Sequence, residues 1–242
     1  MDFLSDLELD SLINKIYPTI HGRYINNVYS LDELRYSLTV KDSEYALNFH
    51  LKIGIWLSDK YIKERWEGEF IRKLRDFLEG SRLEGAEVPR GQRIIALRVS
   101  SGTLYMELFG GSNLICTDRS GIVECALREA EFKDRKVITG EVYSLPKLRG
   151  TPISEIFEPP YNEKVPISKH LGFYLATSKK FIDEILYRAG VQPDKIADTL
   201  SEEEKGAIRK ELKGLVEECR NSELMYQYQD GTFSLVKLLS KG

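Results

Sequence analysis

The sequence predicts an α+β protein, and three features predict it. Apolar and polar residues alternate with the period of a half-buried strand from Gly22 to about Cys125. Helix-period stripes interrupt that pattern at the N-terminus and between about Arg65 and Glu79. Beyond residues 150–166, which hold Pro152, Pro159, Pro160 and Pro166, the periodicity turns helical. A chain of 242 residues fits one large or two modest domains with a sizeable core. The expected order is a sheet domain over 1–150, a linker over 151–166, a helical domain over 167–222 and a hairpin tail over 223–242.

Each element has its own signal. Ser5-x-x-Glu8 has the form of a capping box, followed by Leu9, Leu12, Ile13 and Ile16 at helical spacing. Pro18 is expected to end that helix. Gly22–Tyr29 is rich in β-formers, and Leu34, Tyr36, Leu38, Val40 and Tyr45, Leu47, Phe49, Leu51 alternate on either side of Lys41–Glu44, the pattern of a hairpin. Ile55–Leu57 reads as a further strand. Phe70, Leu74, Phe77 and Leu78 then form a helical stripe, with Gly80 placed to close it. Ile94–Val99 and Leu104–Phe109 alternate about a Ser101-Gly102 turn, and Gly110-Gly111 supplies positive φ before a third strand at Asn113. After the prolines, Phe181, Ile182, Ile185, Leu186 and Ala189 make one stripe, closed by Gly190. Ser201–Glu204 opens another, with Ile208, Leu212, Leu215, Val216 and Cys219 buried. Met225–Leu238 reads as a hairpin turning at Asp230-Gly231.

Composition bounds the function. Hydrophobic residues make up 42% and charged residues 30%, which is ordinary for a soluble globular protein. The net charge is −3, so any nucleic-acid contact has to come from a local patch. Cys116, Cys125 and Cys219 lie in apolar surroundings without metal-ligand spacing, which argues for buried thiols in a reducing compartment and against zinc. No N-terminal leader and no apolar run of membrane-spanning length is visible, so a cytoplasmic protein that meets no membrane is expected.

The literal strings carry more. Glu107-Leu108-Phe109-Gly110, Asn113-Leu114-Ile115 and Thr117-Asp118 resemble the ELFG…N-I-I-L-T-D signature of the NFACT N-terminal domain, found in the ribosome quality-control family of NEMF, RqcH and fibronectin-binding protein A-like proteins. Gly22-Arg23-Tyr24-Ile25-Asn26-Asn27-Val28-Tyr29 is similar to that family's G-x-R-V-N-N-V-Y strand. Leu74-Arg75, Leu78, Gly80 and Arg82-Leu83 resemble its L-R-x-x-L-x-G-x-R-L segment. Leu127-Arg128, Asp134-Arg135, Gly140–Tyr143 and Pro146 extend the likeness to archaeal members. The resemblance implies a mixed β-sandwich-like N-terminal domain with flanking helices, similar to that of formamidopyrimidine-DNA glycosylases. A helix–two-turns–helix domain would follow it, with its turns at 191–200. Full-length members continue into a coiled coil, so the end at Lys241-Gly242 is expected to be that of an N-terminal fragment.

In the family, function is tied to an acidic residue of the first helix and to a G-x-D-R-I motif. The first position falls on Glu8, which can equally cap its own helix. The second falls on Arg90-Gly91-Gln92-Arg93-Ile94, where Gln92 replaces the aspartate and leaves an amide that accepts one hydrogen bond. A G-x-R-I-H segment reads near Gly54-Ile55-Trp56-Leu57 without its arginine and histidine. The residue chemistry agrees with RNA contact. Between Phe70 and Arg98 seven cations face four acids, and Val88–Val99 contains no acid at all. Guanidinium groups held this way suit phosphates, although such a cluster is also compatible with a solvated face. The candidate RNA-contacting residues are therefore Arg93, Gln92, Arg90, Glu8, Arg23, Arg75 and Arg82. Lys205, Arg209 and Lys213 form a second basic ridge, beside glutamates that can pair within the helix.

The resemblance implies a non-catalytic module that recognises large ribosomal subunits holding a stalled peptidyl-tRNA and binds tRNA. In the full-length protein it would support template-free tailing of the stalled chain, with no cofactor and no small-molecule substrate. Two other classes compete. A DNA glycosylase would need an N-terminal proline nucleophile, and the chain starts Met1-Asp2-Phe3. A fibronectin-binding surface adhesin would need an export signal.

Overall fold

The structure is a computed structural model that describes residues 3–156 and 158–242. Met1 and Asp2, where a glycosylase-type nucleophile would have to stand, lie outside the described residues. The chain divides into two compact units. A sheet unit comprises Leu12–Pro89 and Arg93–Lys147, and a helical unit comprises the chain through Ser11, Arg90–Gln92 and Leu148–Gly242.

The first helix, α1 (Asp6–Ile20), begins in the helical unit and continues into the sheet unit. It runs through Pro18, a turn further than expected. Proline removes one N–H donor, and the carbonyl it would have served belongs to exposed Asn14, where water can replace it. In the sheet unit, β1 (Ile25–Ser30), β2 (Arg35–Val40), β3 (Ala46–His50) and β4 (Gly54–Ser58) form an antiparallel meander in that order. Val28, Leu38, Leu47 and Ile55 bury one face, while Tyr29, Ser37, Asn48 and Trp56 lie in one cross-strand row on the other. The next helix, α2 (Glu69–Leu78), buries Ile71, Leu74, Phe77 and Leu78. It starts later than its periodicity suggests because the backbone around Arg65 stays extended and bonds to Ser30 on the edge of β1. Gly80 takes the left-handed conformation (φ 80°) that closes such a helix.

A second antiparallel sheet follows, ordered β5 (Leu83–Glu87), β6 (Ile94–Val99), β7 (Gly102–Glu107), β8 (Asn113–Thr117) and β9 (Val123–Ala126). After β7 the positive-φ residues are Gly110 and Ser112 (54° and 59°), not Gly111. Alternation in this sheet is an incomplete guide, because both faces of β6 and all of β8 are buried. The second face is covered by the short hairpin of β10 (Ala130–Glu131) and β11 (Lys136–Val137), with Val137 and Tyr143 packing on Ile115 and Val123. Cys116 and Cys125 face each other across β8 and β9 as free, buried thiols.

In the helical unit, β12 (Thr151–Pro152) pairs in parallel with β13 (Leu175–Ala176) and leads into a 3-10 turn at Ile153–Glu155. Pro152, Ile153 and Pro159 are buried, so the proline-rich stretch adds packed surface to this unit. The helices are α3 (Ile167–Tyr174), α4 (Lys179–Ala189) and α5 (Glu202–Asn221). Leu171, Phe181, Ile185, Ile208, Leu212, Leu215 and Cys219 form their common core. Gly190 closes α4 in the left-handed region, and Ser201 with Glu204 forms a complete capping box on α5. The tail returns as a hairpin of β14 (Tyr226–Gln227) and β15 (Phe233–Ser234), with Gly231 (φ 79°) in the turn.

Candidate functional site

Glu8 lies in the core of the helical unit. Its side chain is 0% exposed and meets the equally buried Lys180 ammonium at 2.7 Å. Ser5 N–H donates to Oε2 (2.6 Å), and the Ser234 hydroxyl and Leu235 N–H donate to Oε1 (2.8 and 2.9 Å). The reciprocal Glu8 N–H to Ser5 Oγ bond, 3.3 Å, completes the capping box. A charge taken out of water must be paired and hydrogen-bonded, and Glu8 is both. Its carboxylate is enclosed in this network and presents nothing to solvent.

The sequence-selected arginines divide by what holds them. Arg75 is half-buried and spends its guanidinium on the carbonyls of Val28 and Trp66, each at 3.2 Å, which ties α2 to β1. Arg23 donates to the Asp42 carbonyl at the β2–β3 turn. Arg82 is exposed and donates to the Gly22 carbonyl (3.0 Å). Nearby, Arg98 pairs with Glu87 and Arg119 with Glu84, so the β5–β6 edge is close to neutral. Arg90 is exposed, and among the described residues no carboxylate pairs with it. The following Gly91 is fixed by its N–H to Asp6 Oδ2 (2.9 Å), and Gln92 is half-buried. On the second ridge, Lys205 pairs within α5 with Glu202, while Arg209 reaches Glu158.

Arg93 has a different setting. Its guanidinium donates to the Lys52 carbonyl (3.2 Å) in the β3–β4 turn. That turn is bonded to the corner after β7, because the Ser112 hydroxyl donates to the Leu51 carbonyl (3.0 Å). Arg128 donates to the carbonyls of Gly111 and Ser112 (2.9 and 2.8 Å), and Asn113 clamps the Arg128 backbone from both sides. Arg35 and Arg128 also belong to this corner, and Asp32 pairs with Arg35 (2.6 Å) and Glu33 with Arg128 (2.5 Å). Lys52 is exposed and pairs with no carboxylate among the described residues. His50, partner of Arg35 in the register, is held below its usual pKa by burial, so it adds no charge at neutral pH. Lys52 was not among the sequence candidates, because only the turn geometry brings it to Arg93 across an intervening span of chain.

The signature residues of the second sheet serve packing. Arg135 makes a bidentate, buried pair with Glu107 (2.5 and 2.9 Å), and Tyr143 donates its hydroxyl to the same carboxylate (2.9 Å). Glu107 of the ELFG string therefore anchors the segment that covers β8. Among the described residues no group of three His, Cys, Asp or Glu side chains gathers as metal ligands, and no helix is long and apolar enough to cross a membrane.

Comparison with known proteins places this geometry in a family. The model of the NFACT N-terminal and middle domains matches residues 7–242. The ribosome quality control complex subunit NEMF of Homo sapiens is 25% identical over 154 residues, covering 60% of this chain and 14% of that protein. The matched segment is thus a small part of the relative's length. Among solved structures, the N-terminal part of the fibronectin/fibrinogen-binding protein from Streptococcus suis superposes with a TM-score of 0.73 at 15% identity, covering 99% of this chain and 92% of that one. The fibrinogen binding protein from Staphylococcus aureus gives 0.70 at 16% identity, over 95% and 88%. At such identities the likeness shows the shared fold. Signature strings, fold and family model agree, and the chain belongs to the NFACT family, in the region of its N-terminal and middle domains.

Proposed function

We propose that this chain is the RNA-gripping module of a ribosome quality-control factor. It binds tRNA and docks on large ribosomal subunits that hold a stalled peptidyl-tRNA, in the cytoplasm. The observation that carries this reading is the corner formed by Arg93, Lys52 and Arg128, where two guanidinium groups are fixed on backbone carbonyls beside an exposed lysine. A guanidinium oriented on backbone carbonyls is a planar, forked donor held in place, the geometry that phosphate oxygens accept from. Arg90, exposed in the acid-free run, is a further phosphate contact, and Arg23 and Arg82 extend the set. Glu8 and Arg75 act indirectly, by holding the scaffold. The module carries out no covalent chemistry. In a full-length protein it positions tRNA while the ribosome forms the bond during template-free tailing. The name of the human relative, a subunit of the ribosome quality control complex, supports the assignment.

The test is co-sedimentation with large subunits carrying peptidyl-tRNA against empty subunits, together with tRNA titrations over a range of salt. The chain is expected to prefer the occupied subunits. Arg93→Ala and Lys52→Ala should each weaken tRNA binding and lower the salt slope by about one for each phosphate that is no longer neutralised. Equal sedimentation with both kinds of subunit, or an unchanged slope in both variants, would overturn the reading.

A further inference from the structure

A groove on the outer face of the first sheet is built from a different set of residues. It is lined by Asn26, Asn27, Tyr29, Thr39, Tyr45 and Tyr61, with a volume of about 200 Å³. That is smaller than the roughly 300–1,000 Å³ typical of drug-sized sites, and suits one flat ring system. The rings of Tyr29 and Tyr61 lie 5.5 Å apart at 41°, and Tyr45 and Tyr61 are 40% and 37% exposed. Cations stand on this aromatic wall. The Arg65 guanidinium lies over Tyr29 (5.3 Å) and the Lys63 ammonium over Tyr61 (5.8 Å). Arg65 also donates to Asn27 Oδ1 (3.1 Å), which orients that amide so that its NH₂ is left as a donor. At the Asp42–Ser43 turn, which contributes Ser43 and Tyr45 to the groove, Arg23 is held on the Asp42 carbonyl. Among the described residues neither Arg65, Lys63 nor Arg23 pairs with a carboxylate side chain. Glu44 is the carboxylate that lines the groove.

We infer that this groove is a slot for an unpaired RNA base, with Tyr61 and Tyr45 stacking on the base, Asn26 and Asn27 reading its edge, and Arg65, Lys63 and Arg23 holding the flanking phosphates. Stacking rings beside an electropositive track are the recurrent means of holding single strands. A proline-rich peptide also uses exposed tyrosines, but it has no use for three cations that, among the described residues, pair with no carboxylate. The slot rests on the RNA class of the function proposed above and shares only Arg23 with the residues assigned there, none with the Arg93–Lys52–Arg128 corner itself.

The experiment is fluorescence anisotropy of the chain with a labelled single-stranded oligoribonucleotide and with a duplex of equal length. Tyr61→Ala should weaken single-strand binding roughly 5- to 150-fold, the range for loss of one stacked base. Tyr61→Phe should retain it, Arg65→Ala should weaken it, and duplex affinity should change less than twofold. Adenosine monophosphate should compete and inorganic phosphate should not. An unchanged affinity in Tyr61→Ala, an equal loss on duplex, or competition by a proline-rich peptide without competition by nucleotide would overturn the slot. Arg93→Ala separates the two readings. Single-strand binding lost in Arg93→Ala but unchanged in Tyr61→Ala and Arg65→Ala rejects the slot, whereas single-strand binding lost in the slot variants with an unchanged tRNA salt slope in Arg93→Ala and Lys52→Ala rejects the corner and leaves the slot standing.

Discussion

Glu8 makes the largest demand of any single side chain on its surroundings. With the carboxylate and its lysine both at 0% exposure, removing one partner strands the other charge in the core. Glu8→Gln is expected to cost about 3–5 kcal/mol of stability in urea unfolding, while Glu8→Gln with Lys180→Met, which removes the stranded ammonium and keeps an amide oxygen to accept from Ser234 and Leu235, should recover part of it. Recovery of stability without change in RNA affinity would separate scaffolding from contact. Asp6, two residues away, behaves in the opposite sense. Burial pushes its pKa up to about 6, against the hydrogen bond from Gly91 N–H, which favours the carboxylate. Its folded pKa lies above the unfolded value of 3.8, so its contribution to stability is full below about pH 4 and is lost as pH rises through 6. Asp6→Asn mimics the neutral form. It should raise stability at pH 8 by up to about 3 kcal/mol, and the gain should vanish near pH 4 in thermal melts run across that range.

At the scale of elements, the β6–β7 hairpin shows how a single glycine can set a strand arrangement. A Cβ at Gly102 would stand 1.9 Å from the Thr117 carbonyl on β8, so β7 and β8 could not keep their present spacing. Gly102→Ala is therefore expected to destabilise the sheet unit by about 1–3 kcal/mol, the usual range for overpacking, with earlier loss of amide protection in β7 and β8 than in α5. Uniform protection across all elements would contradict it. Ser101-Gly102 was legible as a turn from its residue types, but the steric need for glycine was not, because the colliding carbonyl belongs to a third strand. Arg135 teaches the same point. Its pairing with Glu107 covers a sheet face that alternation alone would leave to water.

Across the whole molecule, a chain of net charge −3 sets some of its cations against carboxylates and holds others, such as Arg23, Arg82 and Arg93, on backbone carbonyls. Local periodicity and capping residues determined much by themselves. The meander, α2 with its Gly80 stop, the β6–β8 run and the α5 capping box all follow from spacings within a few residues, where side-chain direction repeats with the backbone. The acid-free run around Arg93 was equally plain. Tertiary structure alone decided which charges face water and which neutralise one another, since Glu8 meets Lys180, and Arg93 meets the Lys52 carbonyl, only after distant segments pack. Sequence separation carries no distance. The cost of desolvating a charge, which sorts a core carboxylate from a surface guanidinium, acts only once the chain has closed around it.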